Sequence, residues 1–240
     1  MNTPNSLQFK IKLFADGANL GEILKLNSNP SINGFTTNPT LMRKSGIKDY
    51  SEFASEVLRQ VTDKPVSFEV FADDTQEMIE QAKEIASWGN NVYVKIPALK
   101  TTGRSNEMVV EELTSQGIKV NITAVMTTER VREFSKVLNP DVPSCVSIFA
   151  GRIADTGRDP IPIVEESISI LRKNQKAEVI WASPRELLNV IQADSIGCHI
   201  ITATSDILKK IDKIGYDLDR FSLDTVQMFF QDARDSGYRI

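Results

Sequence analysis

Short runs of apolar and β-branched residues recur along the chain at nearly even spacing, at 11–15, 34–37, 66–71, 92–96, 119–124, 145–149, 178–182 and 198–203. Each has the length and composition of a buried strand. Between them the apolar positions change to a helical period, opened by residues suited to capping. Asp74 precedes 76–88, Thr127 precedes 129–138, and Ser183-Pro184 precedes 185–193. Pro184 is expected in the first helical turn, where no backbone N–H is needed. Strand and helix alternating eight times predict parallel βαβ units, and eight such units close a barrel. The expected fold is therefore α/β, a TIM-type (β/α)8 barrel forming a single catalytic domain over 1–240. A doubly wound open sheet is the alternative. An extra amphipathic helix is expected over 217–237, with Phe221, Val226, Met228, Phe229 and Phe230 suited to covering a barrel face or a neighbouring subunit.

Strands buried on both faces should be apolar, so a polar side chain within one needs a purpose. In Val92-Tyr93-Val94-Lys95-Ile96-Pro97 the residues Val92, Val94 and Ile96 share one face and Lys95 stands on the other. If the even positions face the helices, Lys95 points into the barrel near the C-terminal end of its strand, where barrel enzymes keep their chemistry. Lysine snorkelling out at a strand end is the plainer alternative, but other strands repeat the pattern. Glu69 alternates against Phe68 and Val70, Asn121 and Thr123 against Val120, Ile122 and Ala124, and Ser147 against Val146 and Ile148. Asp16 closes the first run, and Asn38 follows the second. A lysine, two carboxylates and neutral hydrogen-bonding groups at one barrel mouth suit an amine nucleophile. Burial disfavours the ammonium form and frees the amine to attack a carbonyl. The iminium so formed is an electron sink for breaking an adjacent C–C bond, and two carboxylates in different surroundings divide the acid and base roles. Arg152 follows the sixth run and Arg185 the seventh, positions from which barrels bind phosphate.

Composition narrows the partners. The chain has 240 residues, a formal net charge of −4 and charges of both signs interspersed, so nothing attracts nucleic acid or an anionic membrane as a whole. An anionic substrate must be met by local arginines. Cys145 and Cys198 lie in apolar runs and are expected as small core residues. The single histidine, His199, is expected as a strand residue, and with it neither a zinc site nor a Ser/His/Asp triad can be assembled. No basic segment followed by an apolar one opens the chain, and a cytoplasmic location is expected.

Six motifs in order, Phe14-Ala15-Asp16, Thr36-Thr37-Asn38-Pro39, Val94-Lys95-Ile96-Pro97, Asn121-Ile122-Thr123-Ala124, Ser147-Ile148-Phe149-Ala150-Gly151-Arg152-Ile153 and Ala182-Ser183-Pro184-Arg185, resemble the transaldolase family over nearly the whole chain. The resemblance implies that Lys95 forms a Schiff base with a ketose carbonyl and that Asp16 accepts the proton of the C4 hydroxyl. Glu69 and Thr123 match the pair that handles the water of carbinolamine formation and breakdown. Asn38, Asn121 and Ser147 match residues that position a dihydroxyacetone portion, and Arg152, Ser183 and Arg185 match the phosphate site. Phosphorylated sugars are the implied substrates; no metal and no cofactor are implied. Fructose-6-phosphate aldolases in the family resemble one another in carrying Gln at the position of Glu69 and Tyr at that of Phe149, so both positions here favour transfer over simple cleavage. Pro184 departs from the Phe of many members. Small members assemble into rings, so a homo-oligomer is expected. Rival readings are an aldolase on the same site, a phosphate-binding isomerase, and a degenerate barrel with a binding or assembly role.

Overall fold

The computed structural model describes residues 9–239; residues 1–8, read above for a leader segment, lie outside the described residues. In chain order the elements are β1 (Lys12–Asp16), α1 (Leu20–Asn27), β2 (Ile32–Thr36), α2 (Pro39–Lys44), α3 (Tyr50–Gln60), β3 (Val66–Glu69), α4 (Thr75–Ser87), β4 (Val92–Pro97), α5 (Glu107–Ser115) and β5 (Val120–Val125). They continue with α6 (Thr128–Val137), β6 (Ser144–Ile148), α7 (Ala150–Ala154), α8 (Ile161–Leu171), β7 (Ala177–Trp181), α9 (Leu188–Ser195), β8 (Ile200–Ala203), α10 (Ser205–Leu208) and α11 (Leu218–Asp235). The strands form a closed barrel in sequence order, every neighbouring pair is parallel, and β1 pairs with β8 to close it. The (β/α)8 expectation holds and the open sheet is excluded.

The barrel forms because each strand alternates between two apolar environments. Val92, Val94 and Ile96 are buried on the outward face of β4, beneath helices whose own apolar residues, such as Met78, Ala82 and Val110, are also buried. Inside the lower barrel, Phe14, Cys145, Ile180 and Ile200 pack as one cluster, with Tyr93 and Phe149 against it. Gly34 makes this possible: a Cβ there would lie 2.5 Å from the Phe14 ring, so a side chain on β2 would expel the aromatic plug. The apolar filling below leaves the polar residues to the C-terminal mouth.

Capping follows the predicted pattern at two helices and departs from it at a third. The side chains of Asp74 and Thr127 cap α4 and α6. Residues 185–187, however, are not helical, and α9 begins only at Leu188, so Pro184 does not occupy a first helical turn. The reason is local. Asn189 Oδ1 accepts from the backbone N–H groups of Arg185 (2.8 Å) and Glu186 (3.2 Å), and Ser183 takes a left-handed φ of 58°, so the segment is held as a loop. Similarly, β3 stops at Glu69 because Gln81 Oε1 takes the N–H groups of Phe71 and Ala72 (2.8 and 3.0 Å). At β8, Cys198 donates its N–H to Ala193 beyond the Gly197 turn, and the strand begins at Ile200.

His199 Nδ1 accepts the Val179 backbone N–H at 3.0 Å, a structural bond below the barrel mouth. Both cysteines are free and buried, and burial pushes the Cys198 thiol up to about 12. The chain divides into two compact units, with the whole barrel in the first, ending at Leu208. In the second unit, Asp217 caps α11, the expected C-terminal helix, and Tyr216 donates to Asp224 (2.8 Å). No described helix is long and apolar enough to cross a membrane.

Candidate active site

Strand register assembles the centre of the site. Glu69, Lys95 and Asn121 are Cα partners across β3, β4 and β5, so their side chains leave the sheet side by side into the barrel. Lys95 is only 6% exposed. Its Nζ lies 3.0 Å from Glu69 Oε2 and donates to the Thr37 carbonyl at 2.8 Å. The lysine and the Glu69 carboxylate, expected together at the barrel mouth, meet within ion-pair distance. An ion pair this dry is held by geometry rather than by any large net gain in stability, because desolvation offsets most of the attraction.

Asp16, at the end of β1, takes hydrogen bonds from Thr36 Oγ1 (2.8 Å) and Asn38 Nδ2 (3.2 Å). Burial pushes its carboxyl above its ordinary value; the Lys95 charge and the bonds from Thr36 and Asn38 pull against that rise, and Glu69 adds to it. Asn38 is fixed in turn as the N-cap of α2, its Oδ1 accepting the Leu41 N–H at 2.9 Å. Asn121 is clamped on both sides: Ser147 donates to its Oδ1 (2.7 Å), and its Nδ2 donates to Ser67 Oγ (3.0 Å). This fixes the amide orientation.

Thr123 occupies a bulge, where the β5–β6 register shifts between Ile122 and Val125 and Ala124 adopts φ 60°. A non-glycine residue in that region is strained, and such strain collects at functional sites. Thr123 Oγ1 is buried with no hydrogen-bond partner among the described residues. Its hydroxyl therefore keeps its full capacity for a molecule in the cavity.

The two arginines are carried by the segments that follow β6 and β7. Arg185 pairs with Asp155, Nε to Oδ1 at 3.1 Å and Nη2 to Oδ2. Arg152, on α7, makes no ion pair among the described residues. The two loops touch at Gly151, where a Cβ would lie 1.7 Å from the Ser183 carbonyl oxygen and 3.1 Å from Arg185 Nε. Gly151→Ala is therefore expected to force the loops apart, costing about 1–3 kcal/mol or more. Denaturant melts of the variant and the wild type check the loss.

All eleven residues singled out from the sequence (Asp16, Asn38, Glu69, Lys95, Asn121, Thr123, Ser147, Phe149, Arg152, Ser183 and Arg185) line one cavity of about 440 Å³. Thr36, Lys44 and Thr202 also line it and were not anticipated. Thr202 alternates against Ile201 and Ala203, the same signal that marked Asn121, whereas Thr36 is followed by the polar Thr37 and carries the signal on one side only. Lys44 ends a short helix and carries no such signal. Among the described residues no group of three or more His, Cys, Asp or Glu is placed to hold a metal ion.

An ion-paired lysine, a second carboxylate held by neutral donors and two arginines thus line one cavity at the C-terminal mouth of the barrel, where barrel enzymes keep their chemistry. Residues 13–239 match the family described as Transaldolase/Fructose-6-phosphate aldolase, and the chain belongs to that family. It is 34% identical over 204 residues to a "Probable transaldolase" from Thermoanaerobacter sp., covering 85% of this chain and 90% of the relative. A "Probable transaldolase" from Caldicellulosiruptor saccharolyticus is 35% identical over 205 residues, with 85% and 90% covered. One from Methanococcus maripaludis (strain C5) is 33% identical over 202 residues, with 84% and 89% covered. A solved protein of the dihydrodipicolinate synthase family from Coccidioides immitis has a TM-score of 0.60 at 14% identity, with 94% of this chain and 77% of that one covered. That likeness is one of fold alone.

Proposed function

We propose that this chain is a transaldolase that moves a dihydroxyacetone unit from a ketose phosphate to an aldose phosphate through a Schiff base on Lys95. The observation that carries the reading is the Lys95–Glu69 pair, 3.0 Å apart at the base of the cavity, with the separate carboxylate of Asp16 lining the same cavity. Glu69 takes a proton from Lys95, and the amine attacks the ketose C2 carbonyl. Glu69 and the Thr123 hydroxyl then serve the loss of water that gives the protonated imine. Asp16 accepts the C4 hydroxyl proton, the C3–C4 bonding electrons move into the iminium, and the aldose leaves. The enamine retained on Lys95 attacks the aldehyde carbon of the acceptor while Asp16 returns its proton to the carbonyl oxygen, and hydrolysis of the new imine releases the product ketose. Asn121 and Ser147 hold the three-carbon unit. Two buried free cysteines suit the reducing cytoplasm in which we place the enzyme.

Among the described residues Arg152 makes no ion pair, which leaves its guanidinium to a phosphate, whereas Arg185 already shares two donors with Asp155. Arg152→Ala is expected to raise the apparent KM for fructose 6-phosphate about tenfold or more, with a smaller effect on kcat. The weak reaction of unphosphorylated fructose should be unchanged. An equal loss with both sugars would remove Arg152 from the phosphate site.

Glu69 and Phe149 favour transfer over release. The assay is free dihydroxyacetone from fructose 6-phosphate, with and without erythrose 4-phosphate. Transfer predicts a seven-carbon ketose phosphate in the presence of acceptor and only traces of dihydroxyacetone without it. Dihydroxyacetone released at an undiminished rate without acceptor would make the enzyme an aldolase.

A further inference from the structure

Thr36 does more than touch Asp16. Its hydroxyl lies 2.8 Å from Asp16 Oδ1 and 2.5 Å from Thr202 Oγ1. All three strands meet here: β1 pairs with β2 at Asp16 and Thr36, and with β8 at Phe14 and Thr202. Thr202 therefore sits a pleat below Asp16 and reaches it only through Thr36. Both threonines are buried.

The direction of this chain follows from donor counting. A carboxylate only accepts, and a threonine hydroxyl has one hydrogen to give. Thr36 spends its hydrogen on Asp16, so the Thr36–Thr202 bond must be donated by Thr202. With Asp16 protonated on Oδ1 the order would have to reverse, and Thr202 has no other side-chain hydrogen bond among the described residues to receive the displaced hydrogen. The chain thus favours an Oδ1 that carries no proton. Besides these hydroxyls, Asp16 faces the charge of Lys95 on β4, the charge of Glu69 on β3 and the Asn38 amide. Lys95 and Glu69 also serve the covalent chemistry, and the neutral part of the shell is the Asn38 amide on Oδ2 and the Thr36 hydroxyl, backed by Thr202, on Oδ1.

We propose that Thr202 is a positioning residue that orients the Thr36 hydroxyl and so holds Asp16 in its proton-accepting form. It rests on the reading of Asp16 as the base for C3–C4 cleavage. Donation by Thr202 polarises the Thr36 hydroxyl and strengthens its bond to the carboxylate, an effect of order 10–30% per bond.

The test is the pH profile of kcat/KM with fructose 6-phosphate and erythrose 4-phosphate for the wild type, Thr202→Val, Thr202→Ser, Thr36→Val and the Thr36→Val/Thr202→Val double variant. Valine keeps the shape of threonine and removes the hydroxyl. Thr202→Val is expected to move the acid limb to higher pH by about half a unit, about threefold in rate on that limb, with the alkaline plateau nearly unchanged. Thr202→Ser should restore the wild-type limb. Thr36→Val should shift it further, and the double variant should match Thr36→Val because Thr202 acts only through Thr36. An unshifted limb in Thr202→Val, a uniform loss at all pH values, or additive shifts in the double variant would overturn the relay. Asp16→Asn separates the two failures: an acid limb that survives in its residual activity removes the base assignment itself. Loss of that limb in Asp16→Asn with no shift in Thr202→Val removes the relay alone.

Discussion

Lys95→Met is expected to lower turnover at least about 10⁴-fold while leaving sugar-phosphate binding within a small factor of wild type. Methionine keeps the length and apolar stem of lysine, so the barrel interior around Thr37 and Asn121 stays filled. On the proposed mechanism, what is lost is the nitrogen that forms the covalent bond, together with the ammonium 3.0 Å from Glu69. Arg152, on α7, and Arg185, after β7, are carried by other elements than β4, so the phosphate binding proposed for them should survive; isothermal titration with fructose 6-phosphate checks this. Loss of binding together with turnover would mean that the substitution has collapsed the site rather than removed its nucleophile.

Asp16→Asn is expected to act in opposite directions on activity and stability. Loss of the proton acceptor should lower kcat by about 10²- to 10⁴-fold. Burial holds the Asp16 carboxyl above its ordinary value, so the folded chain binds its proton more readily than the unfolded chain does. Such a carboxyl costs stability that is absent below its unfolded value, grows as pH rises through that value, and is fully present above the folded one. Removing the charge should therefore raise Tm at neutral pH, by about 2–4 °C for each kcal/mol relieved. The gain should vanish toward about pH 3.9, where the unfolded carboxyl also holds its proton. A lower Tm at pH 7 would mean that attraction to Lys95 outweighs the cost of burial.

Much of the barrel and its mouth was legible because one rule applies to every strand: a polar residue out of phase with the buried face points inward. The rule located Lys95, Glu69, Asn121, Thr123 and Ser147, and applied with the same strictness to Ile201-Thr202-Ala203 it reaches Thr202 as well; in Phe35-Thr36-Thr37 two polar residues in succession leave it unable to choose. The six ordered motifs added the family. What was illegible depends on contacts across long stretches of chain. Asp155 meets Arg185 thirty positions away, and no local pattern announces that pair. Asn189 holds the 183–187 segment out of a helix that Pro184 and the apolar period both favoured, because one side-chain oxygen satisfies two backbone donors at once. Lys44 reaches the cavity from the end of α2 without any periodic context. Strand ends moved by one or two residues for the same kind of reason, as Gln81 does at the end of β3.

The most direct measurement is borohydride trapping with fructose 6-phosphate, with and without erythrose 4-phosphate, read by intact and peptide mass spectrometry. A transaldolase working through Lys95 predicts a reduced three-carbon adduct on the peptide bearing Lys95, diminished when the acceptor is supplied and absent from Lys95→Met. An adduct on another lysine, or none with any sugar phosphate that turns over, would contradict it.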